Sequence, residues 1–315
     1  MTIPLDNGYG LLPTLLQFAD SMPASLKAYI FLLLTTLGWG GNAVIGKFAV
    51  GHIGPFTLSA ARWLLALALI TAISIPQIRK DWPQARRHLL LLLAYGAVGF
   101  AGFNALLYTA LKTTSAINCV IEQAGIPGVI FIANFVFFRI KAGLAQILGF
   151  TLTLFGVGLT ATNGTLASVA DIGLNYGDGL MVIAVLLYAG YSVTLRFKPA
   201  IHWKTLMAAS ALGAMLACLP LITTEVLAGD FIMPDAVGWA AILYTGTVPS
   251  LMSQVLYVRG VELIGSNRAG LFINAIPIFG ILLSVIFLGE PLQNFHLAAM
   301  VMVLAGIVIA ERGRR

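Results

Sequence analysis

Ten apolar runs of roughly membrane-spanning length follow one another along this 315-residue chain, near 27–49, 54–75, 88–111, 116–138, 142–160, 178–196, 203–222, 235–258, 267–287 and 293–311. About 20 residues at ~1.5 Å rise cross ~30 Å of hydrocarbon. Transmembrane barrels would show shorter alternating segments of about ten residues, so the expected fold is an all-α polytopic membrane protein with ten transmembrane helices. Apolar residues make up 59% of the chain and charged ones 10%, too apolar a balance for a water-soluble domain of this length.

The net charge of +6 is explained by where the cations fall. Counting from an N-terminus on one side, that side takes Lys27, Arg79, Lys80, Arg86, Arg87, Arg139, Lys141, Arg196, Lys198, Lys204, Arg259, Arg268, Arg312, Arg314 and Arg315, which is 15 of 18; Lys47 and Lys112 fall on the other side and Arg62 within a span. The positive-inside rule then puts both termini of this multi-pass chain in the cytoplasm. The basic residues read as a topology signal, and no nucleic-acid partner is expected. Residues 1–26 lack a basic n-region and a long apolar run, so a cleaved signal peptide is not expected, and this stretch reads as an N-terminal cytoplasmic segment. Cys119 and Cys218 lie within spans and suggest neither a disulfide framework nor a metal site.

The chain also repeats itself. A shift of 149 places Tyr95 on Tyr244, Leu107 on Leu256, Tyr108 on Tyr257, Gly41 on Gly190 and Lys47 on Arg196; a shift of 150 places Pro127 on Pro277 and Gly156 on Gly306. Residues 27–161 and 178–311 thus read as two five-helix units, joined by a linker at 162–177 and followed by a basic tail at 312–315. Because five is odd, the second unit enters from the opposite face, giving two inverted five-helix repeats, an arrangement typical of secondary transporters with a site near the midplane. The motifs LGWGGNAVIGK at 37–47, TLSAARWLLALAL around Arg62, YTALKTTSA at 108–116, GDGLMVIAVLLYAGYSV at 177–193 and FLGEPLQ at 287–293 resemble the paired EamA domains of the drug/metabolite transporter superfamily, most closely the bacterial aromatic amino acid exporter branch. The resemblance implies ten helices, a central cavity and metabolite export. It departs from the pattern after the fourth helix, where FFRIKAG stands in place of the second unit's LGEPLQ, leaving the Gly-Glu feature only at Gly289 and Glu290.

Thr35, Trp39, Asn42 and Gly46 form one stripe of the first helix, and the repeat sets Tyr188 and Tyr191 where Trp39 and Asn42 stand. Counting from the helix ends on the outer face, Asn42, Arg62, Asn104 and Glu122 each lie about seven or eight residues deep, roughly 10–12 Å at the helical rise. Tyr108 shares the face of Asn104. The counterparts in the second unit, Tyr191, Ser210, Ser253 and Phe272, carry no charge. This asymmetry suits a small-molecule substrate with one ionic and one apolar or aromatic end, such as a large amino acid. The candidate substrate-binding residues are Trp39, Asn42, Arg62, Asn104, Tyr108, Glu122, Tyr188, Tyr191, Ser253, Tyr257 and Asn274. Packing alone is the alternative for the aromatic stripes, and Arg62 and Glu122 are open to two readings, a mutual ion pair or direct substrate contact.

An interior proline removes a helix hydrogen bond at ~3 kcal/mol or more, so Pro127, with Gly125 beside it, and Pro277 mark kinks that are either static or hinges of two gates. The glycines Gly96, Gly99 and Gly102 in the third helix and Gly246 in the eighth, which also holds Pro249, read as sites of close helix packing. The fifth and tenth helices, with Gly156 and Gly306, read as buttresses or as a lipid-facing or dimer surface. No HExxH, paired carboxylate constellation or phosphate loop is present, so an enzyme is not expected and no cofactor or metal is implied. Asn163-Gly164-Thr165 matches a glycosylation acceptor but reads here as a turn. Open in the sequence are proton coupling against facilitated diffusion, monomer against homodimer, and transport of amino acids against a broader drug/metabolite range. A non-transporting membrane enzyme or assembly factor is the alternative of a different class.

Overall fold

The structure, a computed structural model, describes residues 23–139, 143–162, 164, 175–264, 269 and 272–312. The linker residues Asn163 and Thr165, Lys141, Arg268, the basic tail beyond Arg312 and all but four residues of the N-terminal segment lie outside the described residues. The described residues form helices α1 (Ala24–Phe48), α2 (Pro55–Ala72), α3 (Ile75–Ala85), α4 (Leu89–Tyr95), α5 (Phe103–Ala110), α6 (Ala116–Gln123), α7 (Ile126–Phe138), α8 (Leu144–Ala161), α9 (Tyr176–Thr194), α10 (Trp203–Leu227), α11 (Ala236–Thr247), α12 (Ser253–Ile264), α13 (Ile276–Leu283) and α14 (Asn294–Arg312). Among these residues six helical stretches are long and apolar enough to cross a membrane: Ala24–Phe48, Pro55–Ala72, Ile75–Ala110, Ala116–Phe138, Tyr176–Phe197 and Trp203–Leu227. Leu144–Thr160, Ile276–Leu288 and Asn294–Ala310 are shorter apolar helices.

The packing carries the repeat into three dimensions. Helix α1 lies on α12 and α13, and its counterpart α9 lies on α5 and α7; α2 packs on α10, and α8 on α14. First helices therefore exchange places with the later helices of the opposite unit, while second and fifth helices meet their own counterparts. Close approach at α8 and α14 depends on glycine: a Cβ at Gly149 would collide with the Gly306 carbonyl, and one at Gly306 with the Gly149 carbonyl. The fifth and tenth predicted spans are thus a mutual buttress, because their small-residue faces are turned to each other.

Contacts between connections sort the helix ends into two layers. At one end Lys47 Nζ donates to the Leu111 and Thr114 carbonyls, Asn175 Nδ2 to the Thr113 carbonyl, and His52 pairs with Asp235 at 2.6 Å. Glu225 accepts from the Phe56 and Thr57 amides at the start of α2, and Glu290 from the Ala116 and Ile117 amides at the start of α6. Both carboxylates satisfy helix N-terminal donors from a distant segment. At the other end Asp81 accepts from the His202 amide and the Thr205 hydroxyl, and Arg196 reaches Asn134 and lies over the Phe138 ring. Arg79, Lys80, Arg86, Arg87, Lys198 and Lys204 flank these contacts, so this is the basic end of the molecule.

The Gly-Glu feature that survives only in the second unit has a structural counterpart in the first. Gly289 takes a left-handed conformation at φ 64°, and Arg139, which the 150-residue shift sets on it, does the same at φ 52°. The turn is kept in both units, but the glycine that makes it easy is kept in one.

A cavity anchored by a buried arginine

Two departures from regular helix shape the centre of the molecule. Between α4 and α5 the backbone opens into a π-helical stretch, Gly96–Gly102, and between α11 and α12 into another, Val248–Met252, at positions related by the repeat. Such wide turns re-aim side chains and free carbonyls for other partners. Trp39 Nε1 donates to the Pro249 carbonyl at 3.0 Å and the Ser250 hydroxyl to the Thr245 carbonyl at 2.8 Å. Glycine is required at the first stretch, since a Cβ at Gly96 would strike the Ser210 carbonyl and one at Gly99 the Tyr191 ring.

The second departure is a paired helix break. Turns at 124–125 and 274–275 interrupt the chain just before Pro127 and Pro277. Three-residue hydrogen bonds close them, from the Gly125 amide to the Glu122 carbonyl at 2.9 Å and from the Ala275 amide to the Phe272 carbonyl at 2.8 Å. Each proline then occupies the opening of a new helix, where its missing amide removes no bond. The predicted kinks are therefore full breaks at equivalent places in the two units.

These breaks and wide turns border a cavity of about 430 Å³. Arg62, from α2, anchors one part of it and is 5% exposed. Its Nη1, with two N–H groups to share, lies within hydrogen-bond reach of Asn42 Oδ1 at 2.9 Å, Asn104 Oδ1 at 2.5 Å and the Tyr108 hydroxyl at 2.5 Å, and its Nε donates to the Ser250 hydroxyl at 2.7 Å. Tyr108 in turn donates to Asn42 Oδ1 at 3.0 Å, and Asn104 Nδ2 to the Phe100 carbonyl at 2.8 Å. All four partners of the guanidinium are neutral, and none of these bonds uses Nη2. Among the described residues no carboxylate pairs with Arg62. A guanidinium presents donors in a planar fork suited to a carboxylate, and here one prong is held while the other is not.

The remaining walls are apolar and aromatic. Trp39 and Tyr257 lie 5.6 Å apart between ring centroids, Phe103 and Tyr188 5.2 Å, and Trp63 and Phe100 stack at 4.6 Å. Arg62 Cζ is 5.0 Å from the Trp63 ring. Val120, Ile126, Ile130, Ile273 and Ile276 add aliphatic surface, and Gln123, Gln254 and Asn274 bring side-chain amides.

The cavity collects Trp39, Asn42, Arg62, Asn104, Tyr188, Tyr257, Asn274, Pro127 and Pro277 from the sequence-predicted set. Tyr108 stands behind Arg62 as a hydrogen-bond partner, and Gly125 lies in the break beside the lining residue Ala124. Three further residues of that set lie outside the lining. Glu122 is fully buried away from the cavity and from Arg62, and neither of its oxygens has a hydrogen-bond partner. One residue of helix is a turn of ~100°, and it is Gln123 that reaches the lining. Tyr191 packs on Tyr95, Phe100 and Tyr188. Ser253 is fully buried beside α1, its carbonyl accepting from the Thr35 hydroxyl at 3.1 Å. From the second wide turn it is Ser250 that reaches Arg62. Phe100, Phe103 and Ser250 join the site without having been expected there; the glycines at 96, 99 and 102 and Pro249 are the signals that could have revealed the turns carrying them.

Comparison with known proteins decides the family. The profile of the EamA-like transporter family matches residues 26–162 and again 175–311. The chain belongs to the EamA-like transporter family. It is 27% identical over 291 residues to the uncharacterized transporter YyaM of Bacillus subtilis (strain 168), covering 91% of this chain and 94% of that one. It is 23% identical to a probable amino-acid metabolite efflux pump of Salmonella typhimurium (strain LT2), covering 92% and 97%. A solved crystal structure with 17% sequence identity covers 90% of this chain and 96% of its own at a TM-score of 0.60, a likeness of fold alone. Transport across a membrane and two EamA repeats are thus features of this chain's family.

Proposed function

We propose that this EamA transporter exports or exchanges small organic metabolites that join a carboxylate to an apolar or aromatic body, with aromatic amino acids as leading substrates. The observation that carries the reading is Arg62, a buried cation on the cavity wall whose bonded partners are all neutral. A substrate carboxylate would take Nη2 and supply the counter-charge that the protein does not. Asn274, Gln123 and Gln254 offer amide oxygens for an ammonium group, and the Trp39–Tyr257 and Phe103–Tyr188 pairs offer ring faces. A volume of about 430 Å³ lies within the range of roughly 300–1,000 Å³ common for small-molecule sites. The Salmonella relative's printed role in amino-acid metabolite efflux agrees with this reading.

The proposed cycle is alternating access in two inverted five-helix units of a bacterial inner membrane, with the basic end cytoplasmic. Lining residues such as Ile130, Ser192 and Tyr257 extend toward that end, whereas Leu107, Tyr108 and Leu111 are buried toward the other. The breaks at 124–125 and 274–275 then act as hinges for two gates. A broader drug/metabolite range is the second reading, favoured by the aliphatic share of the wall. Counterflow in proteoliposomes with a panel of amino acids separates them: exchange of phenylalanine or tryptophan supports the aromatic assignment, and exchange of alanine or threonine without either sinks it.

A further inference from the structure

Two buried carboxyls lie outside the substrate cavity and take no part in substrate contact. Glu122 on α6 is fully buried and both of its oxygens lack a hydrogen-bond partner; Asp178 on α9 is fully buried and its Oδ2 lacks one. The two helices pack together, and Asn118, one helical turn before Glu122, joins the Thr114 hydroxyl that Asp178 accepts from. A charged Glu122 would have neither a donor nor a counter-ion to replace its water, and Asp178 keeps one oxygen without a partner.

The pair also stands between two spaces. Asp178 Oδ1 accepts from the Thr114 hydroxyl, which in turn accepts from Asn118 Nδ2 at 3.3 Å; Asn118 Oδ1 meets His296 Nε2 at 3.1 Å. Thr114, Asn118 and His296 line a second pocket of about 300 Å³ at the end opposite the basic one. Glu122 lies one helical turn past Asn118, and the residues after it, Gln123 and Ala124, line the central cavity at the very break proposed as a hinge. The other titratable groups near the pair are Cys119 on α6, Lys47 on α1, His296 on α14, which meets Asn118, and Glu290, which caps the start of α6; α8 and α13, which also pack on α6, contribute none. Lys47 is committed to two main-chain carbonyls, of Leu111 at 2.8 Å and Thr114 at 2.7 Å.

We propose that Glu122 and Asp178 form a proton-binding pair, loaded from the pocket at Thr114 and Asn118 and emptied into the substrate cavity, which couples export to proton entry. A proton from water in that pocket binds Asp178, transfers to Glu122 as Asp178 becomes free to load again, and leaves to cavity water when the break at 124–125 opens. Charge and atoms balance, since one proton enters at one face and leaves at the other. The coupling to transport rests on the export reading; the binding of protons by the pair does not.

Two measurements on the full chain keep these apart. Infrared difference spectra of purified protein, recorded between neutral and alkaline pH without any substrate, should show a protonated-carboxyl band that disappears in Glu122→Gln and weakens in Asp178→Asn. A band unchanged in both variants overturns the pair. In proteoliposomes an imposed pH gradient, acidic on the face bearing the Thr114 pocket, should drive several-fold accumulation of phenylalanine on that face by the wild type. The gradient should drive none by either variant, while exchange of labelled for unlabelled phenylalanine continues in at least one. Gradient-driven accumulation equal to wild type in both variants overturns the coupling. A wild type that moves no phenylalanine but shows the expected band sinks the substrate reading and leaves the proton pair standing.

Discussion

Replacing Arg62 by lysine keeps the charge and removes the fork. The lysine ammonium has no Nε–H to reach Ser250, now 2.7 Å from the guanidinium, and cannot hold Asn42, Asn104 and Tyr108 while presenting a second prong to the cavity. One lost charge-assisted hydrogen bond to a substrate carboxylate is worth about 1.5–3 kcal/mol. At about 1.4 kcal/mol per tenfold, phenylalanine should bind roughly 10- to 150-fold more weakly to R62K. Arg62→Gln removes the charge as well, and truncating a buried charge pair costs about 2–5 kcal/mol, or roughly 30-fold to several thousand-fold. Equilibrium binding of radiolabelled phenylalanine to purified protein reads both variants. Phenylalaninamide, which lacks the carboxylate, serves as the control ligand and should lose less than phenylalanine does. An R62K affinity within twofold of wild type, or equal losses for acid and amide, would refute the argument.

The packing yields three more expectations. Pro277→Ala should slow exchange while leaving substrate binding largely intact, because the residue opens α13 after the break and its ring restricts the turn; equal losses in affinity and rate, measured by binding and single-turnover efflux, would count against a hinge. Gly306→Ala should destabilise the α8–α14 contact by about 1–3 kcal/mol, seen as a lower unfolding midpoint in detergent, since its Cβ meets the Gly149 carbonyl. Asp235 accepts from the Gly238 amide and pairs with His52, and these bonds hold its carboxyl below the usual value of 3.8. A lowered folded-state value means that its stabilisation is complete above that pH and is lost as pH falls through the folded-state value. Thermal midpoints should therefore fall less between pH 5 and pH 3 in Asp235→Asn than in the wild type.

The parts of the structure that depend on spacing along the chain were legible in the sequence, and those that depend on rotation about a helix were less so. Proline at a shift of 150 marked both breaks, with Gly125 beside the first, because a missing amide and a weak helix former act locally. Depth counting brought Asn42, Arg62 and Asn104 to one layer, where Arg62 now bonds both asparagines. Depth says nothing of azimuth. Glu122 has the right depth but faces away from the cavity, and its neighbour Gln123 takes the lining position. A wide turn is likewise not placed by spacing alone, and the one at Val248–Met252 brings Ser250 to the guanidinium. Of the two readings open for Arg62, the mutual ion pair with Glu122 is not the one formed. Intramembrane charges usually find partners, and here four neutral groups from two helices and a π turn take that place.

The central claim is that the free prong of Arg62 selects a carboxylate attached to an aromatic body. Its most direct test is competition in counterflow: wild-type protein in liposomes preloaded with phenylalanine takes up labelled phenylalanine while unlabelled phenethylamine or phenylalanine is present outside at equal concentration. The account predicts that phenylalanine suppresses uptake of the label and that phenethylamine, identical but for the missing carboxylate, scarcely does. Equal suppression by the two would contradict it.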